Sequence, residues 1–475
     1  MGMRKTAIRI RCLKTTLLVF SVLAQTNWTP GAWAEGSSDA PSYRVGVSAI
    51  HANPEVGIPL AGYGDAKRRL NPWDWKNEIP HCFFFKPSTG VRDPIRAKSM
   101  VVETQGKRAI FVSLDVIGVT DALIQALLKG LQDRKVTRAE LIVSGTHTHS
   151  GPGTLSTNFA LNAIAVDRYQ KKNFDAMVNR ILSSIESAFR ALEDADLYFT
   201  SFHAKNIQEN KFRRSSQNWF NDEAGFILAR SRRSGAWLGG LLNFAMHGNA
   251  MPVEDLRYSA DMPGALERNA EQVLAELNED RSRAPVVLFM NGAEGDVRHT
   301  GGRGEENMER VAADFGRQFR NQLETALPSL LPKQLEIRQE RIHLGTPGWP
   351  LKICAKRDGF YRRWMEVLGR AGRIPLVGVF PTHTRLTLIR LGGVLMMTWP
   401  GEASTSLGFE LNSIAERYGY RRNWVLGLTN DYLSYFTTEH EFLEAAYDSC
   451  SSLYTDRGGS RIVAHYRKQI EGLHP

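Results

Sequence analysis

A short apolar strand that breaks into a glycine-rich loop constrains this chain more than any other feature. Residues 139–143, Ala-Glu-Leu-Ile-Val, form an apolar, β-branched run typical of a buried strand. The glycines and the proline of Ser144-Gly-Thr-His-Thr-His-Ser-Gly-Pro-Gly153 exclude a regular helix directly after it. His147 and His149 therefore lie at a strand end, where α/β proteins usually bind ligands. Since a His-x-His pair is a common half of a zinc site, the loop predicts a metal site; the alternative is a polar turn with two solvated histidines.

Other predicted strands also end in small-residue turns that carry ligand-type side chains. These side chains are His247, Glu294, Asp296, Glu402, Tyr432 and Tyr435. If the strands share one sheet, the turns converge on one rim, and two histidines with a carboxylate and an open position form the usual catalytic zinc arrangement. Taken singly, His247 also fits a core histidine, Glu402 a helix cap and Tyr435 an interior tyrosine.

Hydrophobic periodicity predicts an α/β fold with a mixed β-sheet core and helices packed outside it. Predicted strands are Tyr43–Ile50, Ala97–Glu103, Ala109–Asp115, Ala139–Ser144, Leu197–His203, Ala224–Arg230, Trp237–Met246, Pro285–Met290, Gln334–His343, Arg385–Leu391, Val394–Trp399 and Trp424–Thr429. Predicted helices are Thr120–Leu131, Tyr169–Leu192, Pro263–Leu277, Glu306–Leu327, Ser404–Tyr418 and Arg461–Glu471. Because no Pro/Ser-rich linker, repeat or low-complexity tract divides the chain, we expect residues 35–475 to form a single large domain.

The first 34 residues are typical of a cleavable signal peptide. A basic start precedes the apolar run 15–24, and Ala32-Trp-Ala34 has the small-x-small pattern of a cleavage site. The apolar run is too short to span a bilayer. We therefore expect cleavage after Ala34 and a secreted or periplasmic protein.

The charge of the chain limits its possible binding partners, and its cysteines limit its possible disulfides. The formal net charge is +10, five of these charges lie in the predicted signal peptide, and the chain has no long basic run. This pattern argues against a nucleic-acid partner and leaves a weak preference for anionic membrane surfaces. After cleavage, Cys82, Cys354 and Cys450 remain, enough for one disulfide of undetermined pairing and one free thiol.

Five blocks of the chain, taken in order, resemble the catalytic domain of the neutral, non-lysosomal ceramidases. The blocks are Gly145–Gly153, Asn243–Gly248 with Ser259–Asp261, Asn291–Val297, Trp399–Glu402 and Gly427–Tyr454. The resemblance extends from about Tyr43 to the C-terminus. It implies a zinc-dependent amidase, acting on linear amides, that splits ceramide into sphingosine and a fatty acid with a zinc-activated water.

The resemblance also implies a role for individual residues. It makes His147, His247, Glu402 and Tyr435 the zinc ligands. His149 and Tyr447 become catalytic, and either of them is a candidate to protonate the leaving amine. The arginine that this family carries after an asparagine corresponds to Arg213 or Arg214, with Arg214 favoured because it precedes a serine. Gly62 matches a glycine-rich loop that lines the site and would let the backbone approach the substrate closely.

Three departures from the family pattern leave alternatives open. Arg298 and His299 stand where the family commonly has serine and proline, so a serine-nucleophile mechanism is excluded there. An aromatic insertion, Asp65–Gly90, would reshape the mouth of the site, and no C-terminal immunoglobulin-like domain is expected. The main prediction is hydrolysis of ceramide or a related N-acyl lipid. The alternatives are a zinc hydrolase of non-lipid amides or esters, and a lipid-binding homologue whose catalysis Arg298 impairs.

Overall fold

A large mixed sheet forms the first half of the core of this computed structural model, which describes residues 43–70, 82–212, 219–281, 283–357 and 372–473. Its long strands, in spatial order, are Val286–Asn291, Trp237–Phe244, Glu223–Ser231, Glu193–His203, Tyr43–His51, Arg96–Thr104, Lys107–Leu114 and Leu141–Gly145. The two outermost pairs are parallel and the inner pairs are antiparallel. A ninth, two-residue strand, Ser329–Leu330, pairs with Glu193–His203.

A second, four-stranded sheet lies face to face with the first. Its strands are Leu335–His343, His383–Leu391, Val394–Thr398 and Asn423–Leu426, in that spatial order. One buried apolar cluster contains side chains of both sheets, among them Phe111 and Leu288 of the first and Met396 and Leu426 of the second. Side chains alternate between the two faces of a strand, so each sheet contributes one face to this shared core.

Helices cover the outer faces. Helices Asp121–Gly130 and Lys171–Arg190 bury an apolar stripe against the large sheet, and Thr405–Arg417 and Gly458–Glu471 do the same on the small one. Asp261–Leu277 packs on Glu305–Thr325 and on two strands of the large sheet. The mixed sheets with outer helices confirm the predicted fold class, and the six helices begin and end within three residues of the predicted bounds. None of the described helices is both long and apolar enough to cross a membrane.

Short elements near the strand ends were not predicted. Phe159–Leu161 runs into a π-helical turn, Asn162–Val166. Three further short helices are Leu351–Arg357, Glu439–Leu443 and Tyr447–Ser451. A disulfide joins Cys354 to Cys450 and leaves Cys82 as a free thiol, which settles a pairing that the sequence left open.

The ligand-bearing strands do not all share one sheet, which was the condition given for their convergence, yet their ends still meet. The strands before Glu402 and Tyr435 belong to the four-stranded sheet, whereas those before His147 and His247 belong to the large one. Backbone hydrogen bonds join the two sheets at this end: the N–H of Gly145 donates to Leu428 O at 3.1 Å, and that of Gly427 donates to Asn291 O at 2.8 Å. The turns of both sheets therefore open onto one common rim.

Candidate metal centre

The loop after strand Leu141–Gly145 holds His147 in one fixed orientation. Its backbone lies in the left-handed region, with φ of 68°, which is uncommon for a residue with a side chain. The N–H of His147 donates to Val116 O at 3.0 Å, and its Nδ1 lies 2.7 Å from Ile117 O. A carbonyl at Nδ1 fixes the proton on that nitrogen and leaves Nε2 as the electron-pair donor. His147 is thus prepared to bind a cation through Nε2.

The second histidine of the pair is held by its backbone and left open at its ring. The N–H of His149 donates to Gly248 O at 2.7 Å, and its ring lies against that of Tyr63 with centroids 4.6 Å apart. Both ring nitrogens are shielded from solvent and, within the described structure, have no hydrogen-bond partner. Burial, with the nearby His147, lowers the pKa of His149 well below its ordinary value. The ring is therefore neutral and free to exchange a proton.

Two glycines allow the loops around these histidines to pack closely. A Cβ on Gly248 would lie 2.6 Å from His147 O, and one on Gly62 would lie 2.7 Å from His149 Cα. Gly62 also has φ of 110°, which residues with side chains rarely adopt. Gly62 therefore packs directly against His149, and its close approach to a substrate stays a prediction.

His247 and Glu402 complete the inner group. The ring centroids of His147 and His247 lie 4.4 Å apart, and Glu402 Oε2 lies 3.2 Å from His147 Nε2 and 3.8 Å from His247 Nε2. The other carboxylate oxygen, Oε1, accepts a hydrogen bond from the Tyr432 hydroxyl at 2.8 Å. Burial opposes ionisation of Glu402, but its interactions with His147 and with the cation Lys211, together with a hydrogen bond from Tyr435, lower its pKa overall. Glu402 is thus an anion aimed at two imidazoles.

Pairing between two short strands explains where the tyrosines lie. Glu402–Ala403 runs parallel to Tyr435–Phe436, with Glu402 opposite Tyr435. The Tyr435 hydroxyl hydrogen-bonds to Glu402, and the ring of Tyr447 meets the ring of Tyr435 edge-on at 5.6 Å. Tyr447 is 49% exposed, so it stands at the mouth of the site, with Tyr435 beneath it.

Glu294 is a fourth potential ligand, which the sequence offered only as one of two carboxylates in a turn. One donor atom from each of His147, His247, Glu294 and Glu402 lies within 4.8 Å of the others. Both Glu294 oxygens lack a partner among the described residues. Burial and the charge of Glu402 raise the pKa of Glu294 well above its ordinary value. Asp296, the other carboxylate of the turn, instead accepts the backbone N–H of Thr405 at 2.8 Å and so caps a helix.

Lys211 is the cation that the structure places at this centre, and the sequence reasoning missed it. Its Nζ lies 2.8 Å and 3.1 Å from the two ring nitrogens of His247 and 3.2 Å from Gly295 O. Burial lowers the pKa of Lys211, and the carboxylates Glu402 and Glu294 oppose that shift. A lone lysine beside a predicted arginine gave no separate signal in the sequence.

None of the arginines discussed from the sequence is seen at the metal centre among the described residues. Arg214, with its alternative Arg213, lies outside the described residues. Arg298 lies on the short strand Val297–His299, forms an ion pair with Glu209 at 2.7 Å and has a side chain 45% exposed. The guanidinium of Arg298 is therefore engaged by the Glu209 carboxylate.

The four grouped ligands fit a bound metal ion. Buried polar atoms almost always have hydrogen-bond partners, and leaving them without any costs about 1–3 kcal/mol each. Here His147 Nε2, Glu402 Oε2 and both Glu294 oxygens lack them within the described structure. Two imidazoles with carboxylate oxygens are a donor set that zinc prefers. A divalent cation would give each of these atoms a partner and offset the negative charge.

Comparison with known proteins identifies relatives of one kind. Residues 84–307 match the family described as neutral/alkaline non-lysosomal ceramidase, N-terminal. Neutral ceramidase B of Dictyostelium discoideum is 32% identical over 162 residues, which cover 33% of this chain and 22% of that protein. The neutral ceramidase of Pseudomonas aeruginosa is 22% identical over an alignment of 522 positions, covering 95% of this chain and 73% of the relative.

Solved structures agree at the level of the fold. The crystal structure of the Pseudomonas aeruginosa neutral ceramidase superposes with a TM-score of 0.75 at 18% identity, over 92% of this chain and 75% of the other. A ceramidase complexed with C2 gives a TM-score of 0.74 at 17% identity, over 91% and 75% of the respective chains. The arrangement of two sheets and outer helices is thus shared with these proteins.

Proposed function

Because the chain belongs to the neutral/alkaline non-lysosomal ceramidase family, we propose that it hydrolyses the N-acyl bond of ceramide or a related N-acyl lipid with the help of zinc. Release of a fatty acid and sphingosine would be the outcome for ceramide. The observation that carries this proposal is the group of His147, His247, Glu294 and Glu402, whose donor atoms lie within 4.8 Å of one another. The predicted signal peptide supports a secreted or periplasmic site of action.

His147, His247 and Glu402 would hold the zinc ion, with Tyr435 as the fourth ligand and Glu294 near enough to replace it. Zinc bound there would lower the pKa of a water molecule towards 7 and polarise a carbonyl oxygen. Ile117 O orients His147 through Nδ1, and the Tyr432 hydroxyl orients Glu402 through Oε1. These outer contacts aim the remaining donor atoms inward and keep them from rotating away.

His149 and Tyr447 would serve the organic part of the substrate. Hydrolysis of an amide requires that the departing amine gain a proton, and a side chain within hydrogen-bond reach supplies it. The open ring nitrogens of the neutral His149 could accept a proton from the attacking water and pass it to the amine, while Tyr447 at the mouth is suited to donate to the carbonyl oxygen as it gains negative charge. Arg214 is proposed as a further catalytic residue on the resemblance alone.

Lipid binding without catalysis loses its main support, because that alternative rested on Arg298. The guanidinium of Arg298 pairs with Glu209 at the surface. The side-chain atoms of the metal centre that lack hydrogen-bond partners, in contrast, are suited to bind a metal ion and a substrate. Hydrolysis of non-lipid amides remains as an outcome of the test.

The deciding experiment incubates the purified, zinc-loaded protein with a defined long-chain ceramide and measures fatty acid and sphingosine. We expect equal amounts of both products, and none from the His147→Ala variant. No release by a folded, zinc-containing protein would overturn ceramide as substrate, and cleavage of short amides alone would favour the non-lipid hydrolase.

A further inference from the structure

The segment 158–168 forms the outer wall of the metal centre. The N–H of Gly62 donates to Ala165 O at 2.8 Å, and Gly62 packs directly against His149 on its other side. The segment therefore lies one layer of backbone away from a site histidine.

Two neighbouring loops are fastened to the same segment. The carboxylate of Asp167 accepts the backbone N–H groups of Phe83, Phe84 and Phe85 at 3.0–3.1 Å. Arg69 donates to Ala163 O at 3.0 Å and to Ile164 O at 3.2 Å. These hydrogen bonds hold residues 83–85 and the loop that carries Arg69 against segment 158–168.

A third loop joins from the other side. Asn158, which caps the short helix Phe159–Leu161 with its Oδ1, donates from Nδ2 to Val379 O at 2.8 Å. The side chain of Leu161 packs together with that of Leu376 on one apolar cluster. Segments 83–85, 158–168 and 376–379 are thus parts of one continuous surface.

This surface exposes large apolar side chains, which we call the apolar rim. Its members and their exposed fractions are Phe83 57%, Phe159 74%, Ile164 58%, Val377 61% and Val379 40%. Single exposed apolar residues are ordinary, but several on adjoining loops beside a site mark an interaction surface. Phe159 and Ile164 stand on consecutive turns of the same helical segment.

The rim also carries positive charge. The guanidinium of Arg168 lies 5.4 Å from the ring centre of Phe83, and that of Arg69 lies 4.8 Å from the ring centre of Phe85. Apolar side chains beside basic ones are the pattern with which proteins bind the interface of an anionic bilayer: the apolar groups enter the acyl boundary and the cations meet the headgroups. A water-soluble substrate would need neither feature at the mouth of a site.

We infer that the apolar rim docks on a lipid bilayer that contains anionic lipids, with Phe159 and Ile164 inserted below the headgroups. This inference rests on the proposed function, because a bilayer-borne N-acyl lipid gives the docking its purpose. Docking would bring the segment next to Gly62 and His149 against the membrane, so that a lipid has only a short path to the metal centre.

The test measures sedimentation with phosphatidylcholine vesicles, with and without phosphatidylglycerol, for the purified protein and the double variant Phe159→Ser/Ile164→Ser. The matched control is Leu327→Ser. Leu327 is 71% exposed and follows helix Glu305–Thr325, whose 21 residues lead about 30 Å away from Gly304 near the site. Thermal unfolding verifies that each variant is folded.

We expect the wild-type protein to bind the anionic vesicles, the double variant to partition at least about tenfold more weakly, and the control to bind like wild type. The ratio of activity on vesicle-borne ceramide to activity on a dissolved short-chain amide should fall in the double variant. Equal partitioning of wild type and double variant, or no binding by wild type, would overturn the docking surface. Vesicle binding without cleavage of any N-acyl substrate would overturn the proposed function and leave the docking surface standing.

Discussion

Two clusters of buried charge lie a few residues apart, and only one of them is fully paired. In the first, Lys98, Asp115 and Glu267 have side chains that are 0% exposed. Lys98 Nζ donates to Asp115 at 2.9 Å and to both oxygens of Glu267 at 2.7 Å and 2.6 Å. The other oxygen of Asp115 accepts the N–H of Arg96 at 2.7 Å, and Oε1 of Glu267 also accepts the N–H of Phe289 at 2.7 Å.

The second cluster is the metal centre. The two clusters are neighbours, because the hydroxyl of Thr146 donates a hydrogen bond to Asp115 and the next residue is His147. Six side-chain atoms of this centre lack a hydrogen-bond partner within the described structure: His147 Nε2, both ring nitrogens of His149, both oxygens of Glu294 and Oε2 of Glu402. Burying polar atoms without partners is costly. A fully paired cluster stabilises the fold, whereas an open one is suited to bind a cation and a substrate.

Removal of a site histidine should have the largest effect on function. We expect His147→Ala or His247→Ala to weaken zinc binding by more than about a hundredfold, because loss of even an outer partner of a ligand costs about 10–100-fold. Amide cleavage should be lost as well. Zinc content after dialysis and product release measure the two effects. The control is His203→Ala, whose side chain is 72% exposed. Zinc retained in both site variants would contradict a metal centre here.

Removal of the paired lysine should instead affect stability. Lys98→Met leaves Asp115 and Glu267 buried without their cation, which we expect to cost about 3–5 kcal/mol of unfolding free energy. Urea denaturation measures the loss. The comparison variant is Arg44→Met, which removes an ion pair with an arginine side chain 55% exposed and should cost less than about 1 kcal/mol. Equal losses of unfolding free energy in the two variants would mean that burial does not strengthen the ion pairs of the first cluster.

The fourth ligand can be assigned with a matched pair of substitutions. We expect Tyr435→Phe to weaken zinc binding by about 10–100-fold. Glu294→Gln should have a smaller effect, because the raised pKa of Glu294 favours the neutral acid, which glutamine imitates. Competition with a coloured chelator measures both affinities. A larger loss in Glu294→Gln would identify Glu294 as the ligand and exclude that role for Tyr435.

The lysine of the open cluster should behave in the opposite way to Lys98. A cation next to His247 repels a second cation, so we expect Lys211→Met to bind zinc at least about tenfold more tightly, and Lys211→Arg to remain near wild type. The same chelator competition provides the measurement. Weaker binding in Lys211→Met would show that Lys211 supports the metal centre.

The smallest effect on turnover should come from Arg298, which stands where the ceramidase family commonly has a serine. Arg298→Ser removes an exposed ion pair with Glu209 and should change turnover by no more than about twofold. Steady-state rates on one ceramide, with thermal unfolding as a check of folding, measure it. A large gain in rate would restore the view that Arg298 impairs catalysis.

Several features of this protein could be predicted from the sequence because they depend on neighbouring residues. The strand Tyr43–His51 and the helix Lys171–Arg190 follow from hydrophobic periods of two and 3.6 residues. The positions of His147, His247 and Glu402 after strands follow from small residues that end regular structure. Burial of all three side chains and the open atoms His147 Nε2 and Glu402 Oε2 are consistent with the predicted metal site.

Other features were decided by the tertiary structure, because each depends on contacts between distant parts of the chain. Whether the strands before Glu402 share a sheet with the others is set by packing of whole faces, and a second sheet resulted. Glu294 and Asp296 stand in one turn, yet one is left open and the other caps a helix 109 residues further along the chain. Lys211 meets His247 and Arg298 meets Glu209 only because strands Gln208–Asn210 and Val297–His299 pair. Local patterns determined which residues end the strands, and long-range packing determined which of their charges found partners.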